Sequence, residues 1–163
     1  MQVLDIAFDT PEALRNIFGF IHGMRAKITE VEFTFPREMD LALLLPEGDD
    51  VERRISGHLM GRVLNVEKVL MLMRHPKGEG HYCIQVNDQF LPENTGIYEV
   101  IYRDGQAISV AKTEKEPDLT VTIESFLQLA IGLADLNAGL FREGTFLHGN
   151  EETLKQVFIQ KIL

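Results

Sequence analysis

An α+β fold follows from three features of this 163-residue sequence. Period-two runs and helical i, i+3, i+4 stripes are segregated along the chain rather than strictly alternating, which favours distinct sheet and helix layers over a doubly wound sheet. Asp104-Gly105 between two strand-like runs marks an antiparallel hairpin. The stretch Leu59 to Met73 divides the chain into two blocks that read differently. About fifty residues of strand, helix, strand and helix precede it, too few to be independently stable without packing on something else. A helix, an antiparallel sheet of about four to five strands and closing helices follow it.

In the first block, Val3 to Phe8 is a short apolar run of strand character. Asp9-Thr10-Pro11-Glu12-Ala13 is a helix start, with Thr10 as cap, proline at the first helical position and an acid in the first turn. Leu14, Ile17, Phe18 and Ile21 form its apolar face, and Gly23 is placed to end it in the left-handed conformation. Lys27 to Phe35 sets Val31, Phe33 and Phe35 against Glu30, Glu32 and Thr34, the signature of a half-buried strand. Met39 to Leu45 is too short for periodicity to decide between a buried strand and a short helix, the shared face of Leu41, Leu44 and Leu45 favouring the helix, and Pro46 to Asp50 reads as a turn or linker.

At the division, Arg62 to Leu64 is extended, Asn65 caps a helix with Glu67 near its positive end, and Val66, Val69, Leu70 and Met73 line one face. The helix should stop at Arg74-His75-Pro76, since proline disfavours αR at the residue before it. His81 to Phe90 alternates Tyr82, Ile84 and Val86 with Cys83, Gln85 and Asn87, and Leu91 to Gly96 is a turn cluster. Ile97 to Tyr102 and Ala107 to Ala111 are the hairpin strands, and Asp118 to Val121 is a further strand. Thr122 caps a helix bearing Ile123, Phe126, Leu127, Ala130 and Ile131, which Gly132 would end or kink. Leu133 to Leu140 suggests a second short helix, and Asn150 caps a last one carrying Leu154, Val157, Phe158 and Ile162.

Composition narrows the function. With 45% apolar and 25% charged residues the chain reads as a soluble globular protein. No apolar run approaches the roughly 18 residues of a membrane span. The start, Met1-Gln2-Val3-Leu4-Asp5, lacks a signal peptide's basic and apolar regions, so a cytoplasmic location is expected. A net charge of −9 without clustered Lys and Arg argues against nucleic acid. Cys83 is the sole cysteine and, inside an alternating apolar run, reads as a buried strand thiol. His22, His58, His75, His81 and His148 have no second His or Cys at metal-ligand spacing, and the sequence has no Gly-x-Ser-x-Gly elbow and no phosphate loop. The paired acids Asp49-Asp50 and Glu151-Glu152 sit where turns and helix starts favour acids. A helix pair over a small sheet can enclose a cavity, and Phe126, Leu129, Leu133, Leu136 and Phe141 are the candidate lining residues.

Four strings taken in order carry a family resemblance: Thr10-Pro11-Glu12-Ala13, Phe33-Thr34-Phe35-Pro36, Gly61-Arg62-Val63-Leu64-Asn65-Val66-Glu67-Lys68-Val69-Leu70, and Asp118-Leu119-Thr120-Val121-Thr122 before a helix. Together they resemble the C-terminal half of the enhanced intracellular survival (Eis-like) group of GNAT N-acetyltransferases. There a catalytic GNAT domain is followed by a degenerate GNAT-like domain and then by a domain with the fold of sterol carrier protein type two. The resemblance implies that residues 1–57 are the latter part of the degenerate domain with a linker, and that residues 58–163 are the sterol-carrier-like domain. For the parent protein it implies acetyl transfer from acetyl-CoA to a primary, often cationic, amine, and assembly into homo-oligomers.

Two departures shape the functional expectation. The group grips the CoA pyrophosphate with Arg/Gln-x-x-Gly-x-Gly/Ala at a helix start. The nearest string here is Arg54-Ile55-Ser56-Gly57-His58-Leu59, which reads as linker. The catalytic domain is thus expected to lie outside this chain, and no cofactor is assigned to it. The chain closes on Ile159-Gln160-Lys161-Ile162-Leu163, unlike the acidic and aromatic tail usual in the group. No catalytic residue is named, and the Leu163 carboxylate is not assigned a role as base. The alternative function is a stand-alone sterol-carrier-like module that binds an apolar small molecule.

Overall fold

The computed structural model describes residues 1–35, 39, 41–45, 51–54 and 60–161 and divides the chain into two compact units, Met1–Ser56 and Gly57–Leu163. In the first, strand β1 (Gln2–Val3) pairs in parallel with β2 (Glu32–Phe33), and helix α1 spans Pro11–Gly23. Thr10 caps α1 through its side-chain oxygen, which accepts from the Ala13 N–H at 3.1 Å. Pro11 stands at the first helical position, where its missing N–H leaves no helical bond unmade. Leu14 is the buried residue of α1, while Phe18 meets Phe33 edge-to-face at 5.8 Å.

Both expected strands of this unit are far shorter than their alternation suggested. Alternating side chains create a strand only where another backbone accepts its hydrogen bonds, and among the described residues β1 and β2 pair only with each other. Gly23 belongs to the helix, and the chain leaves it through Met24 at φ −94°, not through a left-handed glycine. The expected helix near Met39 to Leu45 is a single 3-10 turn at Leu41–Leu43, and the Pro46 to Asp50 turn lies outside the described residues.

The second unit contains a five-stranded sheet. Helix α2 (Val66–Leu72) is followed by β3 (Glu79–Asn87), β4 (Gly96–Arg103), β5 (Gln106–Thr113), β6 (Leu119–Thr122), α3 (Ile123–Ile131), α4 (Leu136–Gly139), β7 (Phe146–Leu147) and α5 (Glu151–Val157). The strand order is β5-β4-β3-β6-β7. The α+β class stands, but the sheet is mixed: β3 pairs in parallel with β6, and the other ladders are antiparallel. The short strand β7 is unannounced by the sequence. It has no alternation of its own and exists because Thr120 and Leu119 offer it partners.

One face of this sheet forms the core. Tyr82, Ile84 and Val86 on β3 and Tyr98, Val100 and Tyr102 on β4 point to it. They meet Val66, Leu70 and Met73 of α2 and its end, Phe126 and Leu129 of α3, Leu136 of α4, and Leu154, Val157 and Phe158 at α5. At about 25 cal/mol per Å² of apolar surface removed from water, this is the main stabilising term of the unit. The expected α2 face is the buried one, and Asn65 accepts from the Lys68 N–H at 2.8 Å as cap. The helix ends at Leu72, ahead of Pro76.

Asp104 and Gly105 turn the β4–β5 hairpin at φ 50° and 90°. This is the left-handed pair that the Asp-Gly signal requires. Gly132 closes α3 in the left-handed conformation. Asn150 precedes α5 as expected, but at φ 52° and without a capping bond; its side chain instead donates to the His81 carbonyl at 2.9 Å. Ile162, expected on the face of the last helix, lies outside the described residues. No helix among the described residues is long and apolar enough to cross a membrane.

Candidate functional site

The ends of α2 and α3 enclose an open groove of about 420 Å³ with apolar walls and two cations at its rim. Val69, Leu72 and Met73 form one wall and Ala130 the other, with Arg74 and Lys161 beside them. Leu72 is 84% exposed. It lies off the Val66–Leu70–Met73 stripe that α2 buries, so nothing in the core claims it. Lys161 is already engaged, since its Nζ donates to the Ala130 carbonyl at 3.3 Å and its backbone N–H to the Gly132 carbonyl at 2.8 Å. Both bonds satisfy carbonyls at the α3 terminus that the helix itself leaves unpaired.

Behind Met73 lies a buried polar stack. His75 stands between Met73 O and Tyr82 Oη, with ring nitrogens at 3.1 Å from each. A carbonyl only accepts, so Nδ1 carries the proton and Nε2 accepts from the Tyr82 hydroxyl. The imidazole stacks on Tyr102 at 5.3 Å between centroids, and Tyr82 meets Phe158 edge-on at 6.0 Å. Burial lowers the His75 pKa, the Met73 carbonyl opposes this, and the nearby Lys161 charge adds to the lowering. Burial, then the neighbouring Tyr102, raise that of Tyr82. The pair is therefore neutral and sealed, and serves as a satisfied core network rather than an acid and base in reach of substrate.

A second opening, of about 550 Å³, lies on the opposite face of the sheet around Ile101, Ile108 and His81. Its charges are paired across the strands, Glu79 with Arg103 at 2.8 Å and Glu99 with Lys115 at 2.6 Å. Ile108 is the extra residue where the β4–β5 register shifts beyond Ile101. Cys83 is buried nearby. Its thiol pKa is raised by burial and by the Asp118 and Glu99 charges, which disfavours a nucleophilic thiolate.

The structure does not bring the five candidate cavity residues together. Phe126, Leu129 and Leu136 are buried in the closed core, whereas Leu133 is 43% and Phe141 is 93% exposed, and none borders either opening. Sequence reading missed Leu72, Ala130 and Lys161 as neighbours of Val69 and Met73. The signal available was that the apolar run from Val69 to Met73 is wider than a buried stripe needs.

One first-turn N–H in each of α1, α2, α3 and α4 is already taken by the side chain of Thr10, Asn65, Thr122 or Asp135. Most of the linker-like string, from Ile55 to Leu59, lies outside the described residues. Among the described residues, no group of three or more His, Cys, Asp or Glu side chains is placed to hold a metal ion.

Residues 66–161 match the family described as "Sterol carrier protein domain". No curated protein matches the chain. Among solved structures, the chain is similar to a conserved Enterococcus faecalis protein of unknown function termed a "probable N-acyltransferase", with a TM-score of 0.81 and 19% identity over 97% of this chain and 41% of that one. It is also similar to a GCN5-related N-acetyltransferase from Anabaena variabilis, with a TM-score of 0.73 and 21% identity over 99% and 41% of the two chains. Eis1 from Mycobacterium abscessus aligns with a TM-score of 0.67 and 17% identity over 99% and 41%. At such identities the likeness is one of fold, and the chain spans about two fifths of the length of each of these structures.

Proposed function

Because the chain belongs to the sterol carrier protein domain family across residues 66–161, we propose that it is the accessory, non-catalytic C-terminal portion of an Eis-like, acetyl-CoA-dependent N-acetyltransferase. On this reading residues 1–57 are the latter part of a degenerate GNAT-like domain and residues 58–163 are the sterol-carrier-like domain. They supply substrate-pocket walls and homo-oligomer contacts, while a catalytic GNAT domain elsewhere in the parent protein binds acetyl-CoA and a cationic amine. The observation that carries the proposal is the end-to-end likeness: 97% of this chain, both units included, follows 41% of a structure termed a probable N-acyltransferase. An acetylation assay that follows CoA thiol release, with acetyl-CoA and a panel of primary amines, tests it. The 163-residue chain should release thiol no faster than buffer, and amine-dependent release would sink the proposal.

The groove between α2 and α3 favours a second reading, a module that binds an apolar small molecule. Native mass spectrometry distinguishes the two readings. A co-purified lipid supports the carrier, and a mass equal to the bare polypeptide removes its support.

A further inference from the structure

Ahead of Val66, where the family match begins, the chain is bound down by a single buried carboxylate. Asp88, just past the end of β3, has a fully buried side chain on which four N–H donors converge. Its Oδ1 accepts from the Arg62 guanidinium at 2.7 Å, the Phe90 N–H at 2.9 Å and the Leu91 N–H at 3.1 Å. Its Oδ2 accepts from Asn94 Nδ2 at 3.0 Å. Burial opposes the charge, but the bonds from Asn94, Leu91 and Phe90 and the charge of Arg62 outweigh it and hold the carboxyl pKa at about 2. Asp88 is thus ionised throughout the neutral range.

Through Asn94, the same carboxylate reaches the start of α2. Asn94 Nδ2 also donates to the Val63 carbonyl at 3.3 Å, and its Oδ1 accepts from the Val66 N–H at 3.2 Å. Val63 is buried, Arg62 lies over the Phe90 ring at 5.1 Å, and a side chain at Gly61 would press on Leu127 at 3.3 Å. Arg62 and Val63 therefore each have their own hold on the sheet unit, and the backbone at Gly61 runs close to Leu127.

We propose that Gly61 to Asn65 form a strap, buckled by Arg62, Asp88 and Asn94, that fixes where the chain enters the sterol-carrier unit and opens without unfolding the sheet when the Asp88 charge is removed. Opening is local because the buckle sits at the rim. Its loss frees the strap and the first turn of α2, while the β3–β4 ladder from Glu79 to Val86 keeps its register. Arg62 acts here as a positioning residue. The Asp88→Asn change would turn an NH₂ group toward at least one of the four converging donors, so an isosteric substitution suffices to spring the buckle.

Hydrogen exchange read by mass spectrometry on the full chain tests this. Asp88→Asn should speed exchange in the segment from Val66 to Val69, whose Val66, Lys68 and Val69 amides are bonded to Asn94 Oδ1, Asn65 Oδ1 and Asn65 O, by roughly tenfold or more while the β4 amides keep their wild-type rates. Arg62→Gln should act on the same segment to a smaller degree, including at Val66, whose amide Arg62 does not touch. An unchanged segment in Asp88→Asn overturns the proposal, as does loss of protection in step with β4, which would make the cluster a support of the whole unit. If Asp88→Asn fails to fold, Arg62→Gln decides by the same two outcomes.

Discussion

Replacing Gly80 with alanine isolates one contact in the core. Gly80 lies directly opposite Tyr102 in the β3–β4 ladder, and a Cβ built on it would fall closer than 3.0 Å to Tyr102 Oη, Cζ and Cε1. The Gly80 backbone is outside the left-handed region, so alanine fits the main chain. On conformational entropy alone the substitution would gain about 0.4–1 kcal/mol. Steric pressure outweighs that gain. Tyr102 is buried against His75, so its ring can yield only by disturbing the stack. Overpacking of this kind costs roughly 1–3 kcal/mol. The net expectation is a loss of about 1–2 kcal/mol, which at a urea slope of about 1.5–2 kcal/mol/M lowers the midpoint by roughly 0.5–1.3 M. All three tyrosines of the chain, Tyr82, Tyr98 and Tyr102, lie in this unit, so near-ultraviolet circular dichroism follows its unfolding selectively. Adding Tyr102→Leu should abolish most of the alanine penalty, giving a clear coupling in the double-mutant cycle. A midpoint for Gly80→Ala at or above wild type, or strictly additive losses in the double variant, would show that the Tyr102 ring does not resist a side chain at position 80.

Two further outcomes follow from buried polar groups. Thr145 Oγ1 is buried with no hydrogen-bond partner among the described residues. Thr145→Val, which keeps the shape and removes the hydroxyl, should therefore stabilise the unit by on the order of 1 kcal/mol in the same denaturation assay. A comparable loss would show that the hydroxyl is satisfied in solution. The lowered pKa of His75 means that the native state resists the proton which the unfolded chain accepts from pH 6.5 downward. The stabilisation is therefore complete above pH 6.5 and declines as the pH falls from there toward the lowered native value. Comparing the midpoints of wild type and His75→Gln at neutral pH and at a pH of about 5 checks this, because the wild type should lose more than the variant.

The second unit was largely legible in the sequence because each of its signals is local and physical. Asn65 and Thr122 cap the helices they appeared to cap, Asp104-Gly105 turns the hairpin, and Tyr82, Ile84 and Val86 face the core. What escaped depends on partners distant in the chain. The parallel β3–β6 ladder joins segments 35 residues apart, as in Gln85 and Thr120. Periodicity carries no sign of strand direction. The first unit shows the converse failure, where Lys27 to Phe35 alternates well yet, among the described residues, pairs only at Glu32–Phe33 with the two-residue strand β1. The groove was illegible because Val69 and Lys161 meet only through tertiary packing, and Phe141 was an apolar residue whose exposure no stripe announced.

The proposed accessory role is tested most directly by isothermal titration of acetyl-CoA into the 163-residue chain at neutral pH and low salt. Dilution heats alone are expected. Saturable binding with a defined stoichiometry would contradict that role and place CoA recognition within this polypeptide.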